Sequence, residues 1–112
     1  MRDNTKIGSK PQLENYMLRG ISMVRIPYDI TEISPGVYSW REISVKYVNF
    51  NYGGLVSALI EIDYSQAEMT AIINNYLLDQ EDENIKAEFT EMQNCRKLAK
   101  ETAKWILDTY TK

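Results

Sequence analysis

Hydrophobic and polar residues alternate with a period of two from Met23 onward. The apolar members of this alternation are Val24, Ile26, Tyr28 and Ile30. Such a pattern is typical of a half-buried β-strand, because successive side chains of a strand point to opposite faces. Pro27 lacks a backbone N–H, so we expect this strand to lie at a sheet edge or to contain a bulge.

A second β segment is predicted from residue 37 to about residue 48, after the turn-forming sequence Ser34-Pro35-Gly36. Its alternation changes parity along the segment. One face carries Tyr38 and Trp40, and the other carries Ile43, Val45 and Tyr47. A bulge near Arg41-Glu42, or partial cover on both faces, would explain the change. Together the two segments predict a β-hairpin.

Two short segments with helical spacing follow the hairpin. The first has one apolar face made of Tyr52, Leu55, Val56, Leu59 and Ile60. The second begins with a capping box at Ser65-Gln66-Ala67-Glu68, and its apolar face consists of Met69, Ile72, Ile73, Tyr76 and Leu77. The acidic run at residues 79–83 then suits the start of a third helix, because carboxylates are stabilised by the positive end of the helix dipole.

The C-terminal segment predicts one long helix. From about residue 82 to residue 110 the chain contains no Gly or Pro, and one face follows a 4-3-4-3-4-3-4 spacing that only Arg96 interrupts. This spacing is typical of a helix that packs on another helix. We predict that the helix mediates oligomerisation through the apolar members of this face, which are Ile85, Phe89, Met92, Ala99, Ala103, Ile106 and Tyr110.

The predicted length of this helix is the reason to expect oligomers. At 1.5 Å per residue it would be about 43 Å long, whereas a compact chain of 112 residues has a diameter of roughly 34 Å. A helix that extends beyond its own domain needs a cover, and a coiled-coil contact with copies of the chain, as a dimer or trimer, would supply one. The alternative is a break near Asn94-Cys95 that folds two shorter helices onto the hairpin.

Residues 1–22 are predicted to form an N-terminal arm beside a single α+β domain at residues 23–112. Ser9 and Gln12 have capping-box spacing, and Gly20 can end a helix, so the arm is expected to contain a short amphipathic helix. We predict that partner proteins contact this helix and an aromatic pair of the second strand. The partner-binding residues would be Leu13, Tyr16, Met17, Tyr38 and Trp40.

Charge is distributed unevenly along the chain. Residues 1–25 have a net charge of +3 and the remaining residues a net charge of −6. A basic arm on an acidic body can steer association with an acidic partner, and a solvated tail with incidental charge is the alternative. The last helix carries a basic stripe, but Glu101 and Asp108 interrupt it and the sequence pI is about 5.0. We therefore do not expect a nucleic-acid partner.

Composition argues against several kinds of chemistry. The chain has no histidine, which is the usual general base near neutral pH and the commonest metal ligand. Its single cysteine, Cys95, cannot form a disulfide within the chain or complete a zinc site. Glu42, Glu61 and Asp63 are the remaining candidates for acid–base chemistry, and we interpret them as surface carboxylates. We expect no cofactor, no metal and no enzymatic activity.

Targeting signals are likewise not expected. The longest uncharged run, from residue 47 to residue 60, has 14 residues and is too short to cross a bilayer, so we expect no membrane partner. The N-terminus has no apolar leader, and one cysteine fits a reducing compartment. These features predict a soluble intracellular domain.

Several stretches resemble a family of small proteins from phages and prophages of gut anaerobes. The similarity extends from about Ile26 to the C-terminus, and its most distinctive part is Tyr52-Gly53-Gly54-Leu55-Val56-Ser57-Ala58-Leu59-Ile60. It continues at Tyr64-Ser65, Glu68-Met69, Ala71-Ile72-Ile73-Asn74-Asn75-Tyr76-Leu77-Leu78, Ala87-Glu88-Phe89 and Met92-Gln93. The resemblance implies a virion accessory role, such as a head-fibre or tail-fibre-associated subunit, and it implies no active-site residues.

These observations lead to one expected function and one alternative. We expect a non-catalytic phage structural or accessory subunit that binds a larger virion protein, such as a capsid or tail component, and also binds itself. It would be found in the virion, and in the host cytoplasm during assembly. The alternative is a small intracellular phage-encoded regulator or inhibitor that binds a host protein.

Overall fold

A computed structural model describes residues 5–111, and it consists of an antiparallel sheet followed by three helices. The strands are β1 (Thr5–Gly8), β2 (Glu14–Leu18), β3 (Ile21–Ser34) and β4 (Val37–Lys46). A single 3-10 turn (Tyr47–Asn49) leads to α1 (Tyr52–Glu61), α2 (Gln66–Leu78) and α3 (Glu83–Tyr110). The strand order is β1-β4-β3-β2, with every neighbouring pair antiparallel. The predicted α+β class, with two shorter helices before a long one, is confirmed.

The predicted hairpin is the β3–β4 pair, and its two strands are joined by Pro35-Gly36. The bulge expected in the strand that contains Pro27 is present in β3, whereas the bulge considered near Arg41-Glu42 of β4 does not occur. The strand partners change from Tyr28↔Arg41 to Thr31↔Ser39, so two residues of β3 lie opposite one residue of β4. Pro27 precedes this bulge within a central strand, and the β2 pairing ends before it, at Arg25.

The predicted helix in the N-terminal arm is wrong, because residues 14–18 form β2 and pair with β3. Residues 5–8 form β1 at the opposite edge of the same sheet. The described part of the arm therefore contributes both edge strands, and residues 1–4 of the arm lie outside the described residues. Hydrogen bonds to a neighbouring strand outweigh the helical spacing of a segment that is too short to be stable as an isolated helix.

Gly20 belongs to a tight turn between β2 and β3 instead of ending a helix. Arg19 and Gly20 have φ angles of 50° and 79°, and they are the two residues between the paired Leu18 and Ile21. Two positive φ angles in a two-residue loop are typical of a type I′ turn, whose twist matches that of the flanking strands. Glycine adopts such angles without a steric penalty, which explains its place here.

The main hydrophobic core lies between one face of the sheet and the helices. The buried strand residues are Val24, Ile26, Tyr28, Ile43 and Val45, and they pack against Leu55, Leu59, Ile60, Ala99, Ala103 and Ile106 of α1 and α3. Full burial of such side chains contributes about 1.5–3 kcal/mol each to stability. The core therefore fixes α1 and the C-terminal half of α3 on the sheet.

The N-terminal half of α3 packs mainly on α2. Ile72 and Met92 are buried between these two helices and lie outside the main cluster, and the rings of Tyr76 and Phe89 stack with centroids 4.0 Å apart. The helix is continuous over 28 residues, so the alternative break near Asn94-Cys95 does not occur. One helix thus joins two separate packing regions, and the described chain is elongated, with extents of 49 × 37 × 26 Å.

Two helix starts follow the predicted capping chemistry. The Ser65 hydroxyl accepts a hydrogen bond from the Glu68 N–H, and the Glu68 carboxylate accepts one from the Ser65 N–H, which completes the capping box. In the acidic run, Asp82 Oδ1 accepts hydrogen bonds from the N–H groups of Asn84 and Ile85. These contacts satisfy N–H groups that have no partner inside the helix.

Candidate interaction surfaces

The described helices cover one face of the sheet and leave the other uncovered. On the covered face, β4 presents Ile43 and Val45 to the core. The alternate residues of β4 therefore point away from the helices, and cross-strand partners share the same face. By this register the uncovered face includes nine residues that we call the open sheet face: Glu14, Tyr16, Met23, Arg25, Tyr38, Trp40, Glu42, Ser44 and Lys46. Lys6, Gly8 and Glu32 lie on the same side, and so does Pro27, which is buried.

Trp40 lies on β4 between Tyr38 and Glu42 of the open sheet face and is half-buried. Its indole N–H donates to the Glu42 carboxylate, with Nε1 and Oε2 3.4 Å apart. The ring lies beside Gly8 of the neighbouring edge strand. Because the indole N–H is hydrogen-bonded and the ring contacts the neighbouring strand, the exposed part of the indole is presented in a fixed position.

Tyr16, Arg25 and Glu14 form a second group on this face. The Arg25 guanidinium lies 4.5 Å from the centre of the Tyr16 ring and 3.1 Å from Glu14 Oε2. Such exposed ion pairs contribute about 0–1 kcal/mol to stability, and an exposed cation–π contact about 0.5–1 kcal/mol. Their main effect is to hold a planar guanidinium and an aromatic ring in one orientation at the surface.

Tyr38 lies at the other end of the open sheet face, across from Glu32 of β3. A hydrogen bond between the Tyr38 hydroxyl and the Glu32 carboxylate raises the pKa of Tyr38, and burial and the negative charge of Glu32 act in the same direction. The phenol is therefore neutral near pH 7 and remains a hydrogen-bond donor.

Three of the five predicted partner-binding residues lie on this one face: Tyr16, Tyr38 and Trp40. Leu13 does not lie with them, because it packs against the main core. Met17 is 64% exposed but pairs with Ser22 on the side of the sheet opposite Tyr16. The helical spacing used for the prediction grouped Leu13, Tyr16 and Met17 on one side, and the strand separates them.

The predicted oligomer seam on α3 is largely covered by its own chain. Met92, Ala99, Ala103 and Ile106 are buried against α2, α1 or the sheet, and so they cannot contact a second copy in this structure. Ile85, Phe89 and Tyr110 are half-buried: the Phe89 ring stacks on Tyr76, and the Tyr110 hydroxyl donates to the Pro27 carbonyl at 2.7 Å. The four buried residues therefore belong to the interior of this chain, and an interface between chains through the three half-buried residues stays a prediction.

Other apolar side chains are exposed, among them Tyr47, Tyr52 and Leu77, which the sequence patterns had assigned to apolar faces. Met17, Leu18 and Ile21 surround the β2–β3 turn, and Tyr47, Val48 and Tyr52 lie around the 3-10 turn. Leu77 and Leu78 are exposed at the end of α2. The sequence did contain an indication for the last pair: two consecutive leucines of a helix cannot both point into one helix–helix contact.

The three candidate acid–base carboxylates do not converge on one site. Glu42 lies on the open sheet face. Asp63 follows α1 on the helix side, and its carboxylate accepts a hydrogen bond from the Cys95 thiol. Glu61 is exposed in the last turn of α1. Within residues 5–111 no group of three or more Asp, Glu, Cys or His side chains is arranged to hold a metal ion.

Cys95 borders a crevice of about 30 Å³ with Tyr28, Arg41 and Asp63. This volume is enough for about two water molecules and too small for an organic substrate. Burial raises the pKa of the Cys95 thiol, and so does the Asp63 carboxylate, whose Oδ2 lies 3.7 Å from Sγ. The thiol therefore stays protonated and unreactive near neutral pH, because the thiolate is the reactive form.

We expect Cys95 to react slowly with iodoacetamide at pH 8, roughly tenfold more slowly in the folded protein than in urea-unfolded chain. Replacing Asp63 by Asn should speed the reaction and shift its pH profile to lower pH, because the negative charge that disfavours the thiolate is removed. Mass spectrometry of the alkylated protein measures both rates. A profile that is unchanged in the Asp63→Asn variant would contradict the role given to this carboxylate.

Among the described residues, no helix has both the length and the apolar character needed to cross a membrane. Searches against known protein families, curated proteins and solved structures find no match to the chain.

Proposed function

We propose that this chain is a non-catalytic structural or accessory subunit of a phage particle, associated with a head fibre or a tail fibre. In this role it binds a larger virion protein and assembles with copies of itself. The observation that supports the proposal best is the open sheet face, which presents Tyr38 and Trp40 toward one end and Tyr16, level with Lys46, toward the other. The phage context comes from the resemblance described above, and the geometry supports the binding role.

The chemistry of the open sheet face suits a protein partner. Tyrosine and tryptophan are enriched at the centres of protein interfaces, because they supply large rigid contact areas together with a polar tip. The main charged group of this face, Arg25, is already paired with Glu14. A partner can therefore cover the face without burying an isolated guanidinium, which would be costly.

The open sheet face alone is smaller than a stable protein interface. Four strands about 4.8 Å apart and about seven residues long give a surface of roughly 15 by 23 Å. This is well below the approximately 800 Å² per partner that stable interfaces bury. A stable complex would have to extend past these nine residues, and the exposed Leu18 and Ile21, which lie on the same side as Tyr16 beside the β2–β3 turn, offer additional apolar area.

We expect the wild-type chain to be present in purified virions at a fixed ratio to the major capsid or tail protein. A Trp40→Ala variant should be incorporated about tenfold less, because removal of a central aromatic side chain costs an interface about 2 kcal/mol or more. Quantitative mass spectrometry of particles measures this ratio. Ser44→Ala, at an exposed position of the same strand and face, is the matched control and should be incorporated normally.

Circular dichroism of both variants checks that the fold is retained. Equal incorporation of Trp40→Ala and wild type would remove the open sheet face as the docking surface. Absence of the wild-type chain from washed particles would contradict the virion role and would favour the alternative of a regulator that binds a host protein.

A further inference from the structure

The outer face of α2 has the composition of a helix–helix contact although nothing in the described chain covers it. Its residues follow a 4-3-4 spacing: Ala67, Ala71, Asn74 and Leu78, with Thr70 and Leu77 beside them. All six are exposed, and Leu78 is 86% exposed. The inner face of the helix is fixed by the buried Ile72 and by the ring stack of Tyr76 on Phe89. We call these six residues the outer α2 face.

This face carries no charge over most of its length. Glu68 is the single charged residue of α2, and residues 69–78 contain none. Surface helices ordinarily carry charged residues on their solvent side, whereas the centres of protein interfaces are depleted of them. The 4-3-4 spacing is that of positions which meet across two packed helices.

We propose that the outer α2 face binds the same face of a second copy, with the two α2 helices antiparallel about a twofold axis. This inference rests on the proposed function, and it gives the homo-oligomerisation in that function a specific site. The axis would lie on the outer side of α2, at the level of the midpoint between residues 72 and 73. This position pairs Ala67 with the partner's Leu78, and Ala71 with the partner's Asn74.

Side-chain size supports a second copy in this orientation. The alanines lie at the start of the helix and the leucines at its end. An antiparallel pair places Leu78 of each copy against the small Ala67 of the other, so both ends of the contact are filled equally. A parallel pair would place leucine on leucine and alanine on alanine, which separates the helices at one end and leaves a gap at the other.

Charge also fits an isologous contact, in which each surface meets its own copy. Asn74 carries both a donor and an acceptor, so its amide can form hydrogen bonds across the contact without repulsion. The Glu68 side chains of the two copies would be at least about 13 Å apart, at 1.5 Å of rise per residue. This separation exceeds the Debye length of about 8 Å at physiological ionic strength, so their repulsion is screened.

The contact area sets the expected strength. A helix of 13 residues is about 20 Å long and about 10 Å wide, which gives a footprint of roughly 200 Å². Interfaces of this class are weak and reversible. The dimer is therefore expected at tens to hundreds of micromolar, or where a particle already holds several copies close together.

Sedimentation velocity of the full chain from about 5 to 500 µM tests the proposal. We expect the average mass to rise from 13.0 kDa toward twice that value. Leu78→Glu should remain monomeric throughout the range, since it places a charge within the contact. Val48→Glu, at another exposed apolar residue (76%), is the matched control and should associate like wild type. Circular dichroism checks the fold of both variants.

Orientation is tested by disulfide formation in a Cys95→Ser background. We mix a chain carrying Ala67→Cys with one carrying Leu78→Cys at the highest concentration. The antiparallel pair predicts that disulfides between unlike chains exceed those between like chains. Predominant crosslinks between like chains would overturn the proposed orientation.

The outcomes separate this inference from the proposed function. Association of Leu78→Glu equal to that of wild type would overturn the α2 contact and leave homo-oligomerisation in place. A wild-type chain that is monomeric at 500 µM would overturn both the α2 contact and homo-oligomerisation. Binding of a larger virion protein at the open sheet face is decided separately, by incorporation of the Trp40→Ala variant.

Discussion

Replacing Gly54 by Ala is expected to lower the free energy of unfolding by about 3 kcal/mol, at the upper end of the range for overpacking. A Cβ at this position would collide with the backbone carbonyl oxygen of Asn49 and would lie 2.9 Å from its carbonyl carbon. The Gly54 N–H also donates to Asn51 Oδ1 at 2.8 Å, which caps α1. Neither the 3-10 turn nor the start of α1 can shift without loss of this contact.

The neighbouring Gly53 provides the matched control. A Cβ there would have only the Asn51 side chain nearby, at 3.8 Å. Gly53→Ala should therefore be neutral or stabilise α1 by up to about 1 kcal/mol, through the higher helix propensity of alanine. Urea unfolding followed by circular dichroism measures both values. Equal effects of the two substitutions would show that the approach of Asn49 to Gly54 does not constrain the fold.

The second large effect is expected at Ile106, which has 0% exposure in the main core. Ile106→Ala should lower the free energy of unfolding by about 3–4 kcal/mol, through lost apolar contact and the cavity that remains. Leu98→Ala, on the same helix at a residue that is 48% exposed, should change it by less than about 1 kcal/mol.

The same experiment decides where the α3 seam is buried. A core within one chain gives an unfolding midpoint that is nearly independent of protein concentration, whereas an interface between chains gives one that rises with concentration. In a Leu78→Glu background, which removes the proposed α2 contact, we therefore expect the unfolding midpoint of Ile106→Ala to be the same at about 2 and about 100 µM. A large shift would show that the α3 seam forms an interface between chains.

The helical half of the fold could be predicted from the sequence because its determinants are local. The capping box at Ser65 and Glu68 and the apolar faces of the helices are set by residues three or four positions apart. The hairpin was equally local, since Pro35-Gly36 connects adjacent segments. In each case the interacting residues are close in sequence, so a single chain displays the whole pattern.

The edge strands could not be predicted in this way because their partners are distant or weakly marked. β1 pairs with β4, more than thirty residues later in the chain. β2 is followed by Arg19-Gly20, which lacks the Asn or Asp that usually marks a type I′ turn. Leu13, Tyr16 and Met17 fit a helical spacing by coincidence, and pairing with β3 decides their conformation.

The expectation that α3 extends beyond its own domain rested on a wrong estimate of the shape of the chain. A compact chain of this length has a radius of gyration of about 13 Å. The radius of gyration of this chain is 16.5 Å, so it is long enough to hold more of the 28-residue helix than a compact body would. The body is elongated along α3, and α2 covers the half of the helix that lies beyond the sheet. Of the candidate site, aromatic composition identified Tyr38 and Trp40, whereas their grouping with Tyr16 depended on strand register.

The continuity of α3 has a consequence for how this chain can vary. The C-terminal half of the helix packs in the main core through Ala103 and Ile106, and its N-terminal half is joined to α2 by the stack of Phe89 on Tyr76. Each residue turns an α-helix by about 100°. One residue inserted between these anchors would rotate the residues of one anchor by about 100° relative to the other, away from the surface that they contact. Substitutions on the solvent side of α3 are tolerable, but the number of residues between the two anchors has to stay the same.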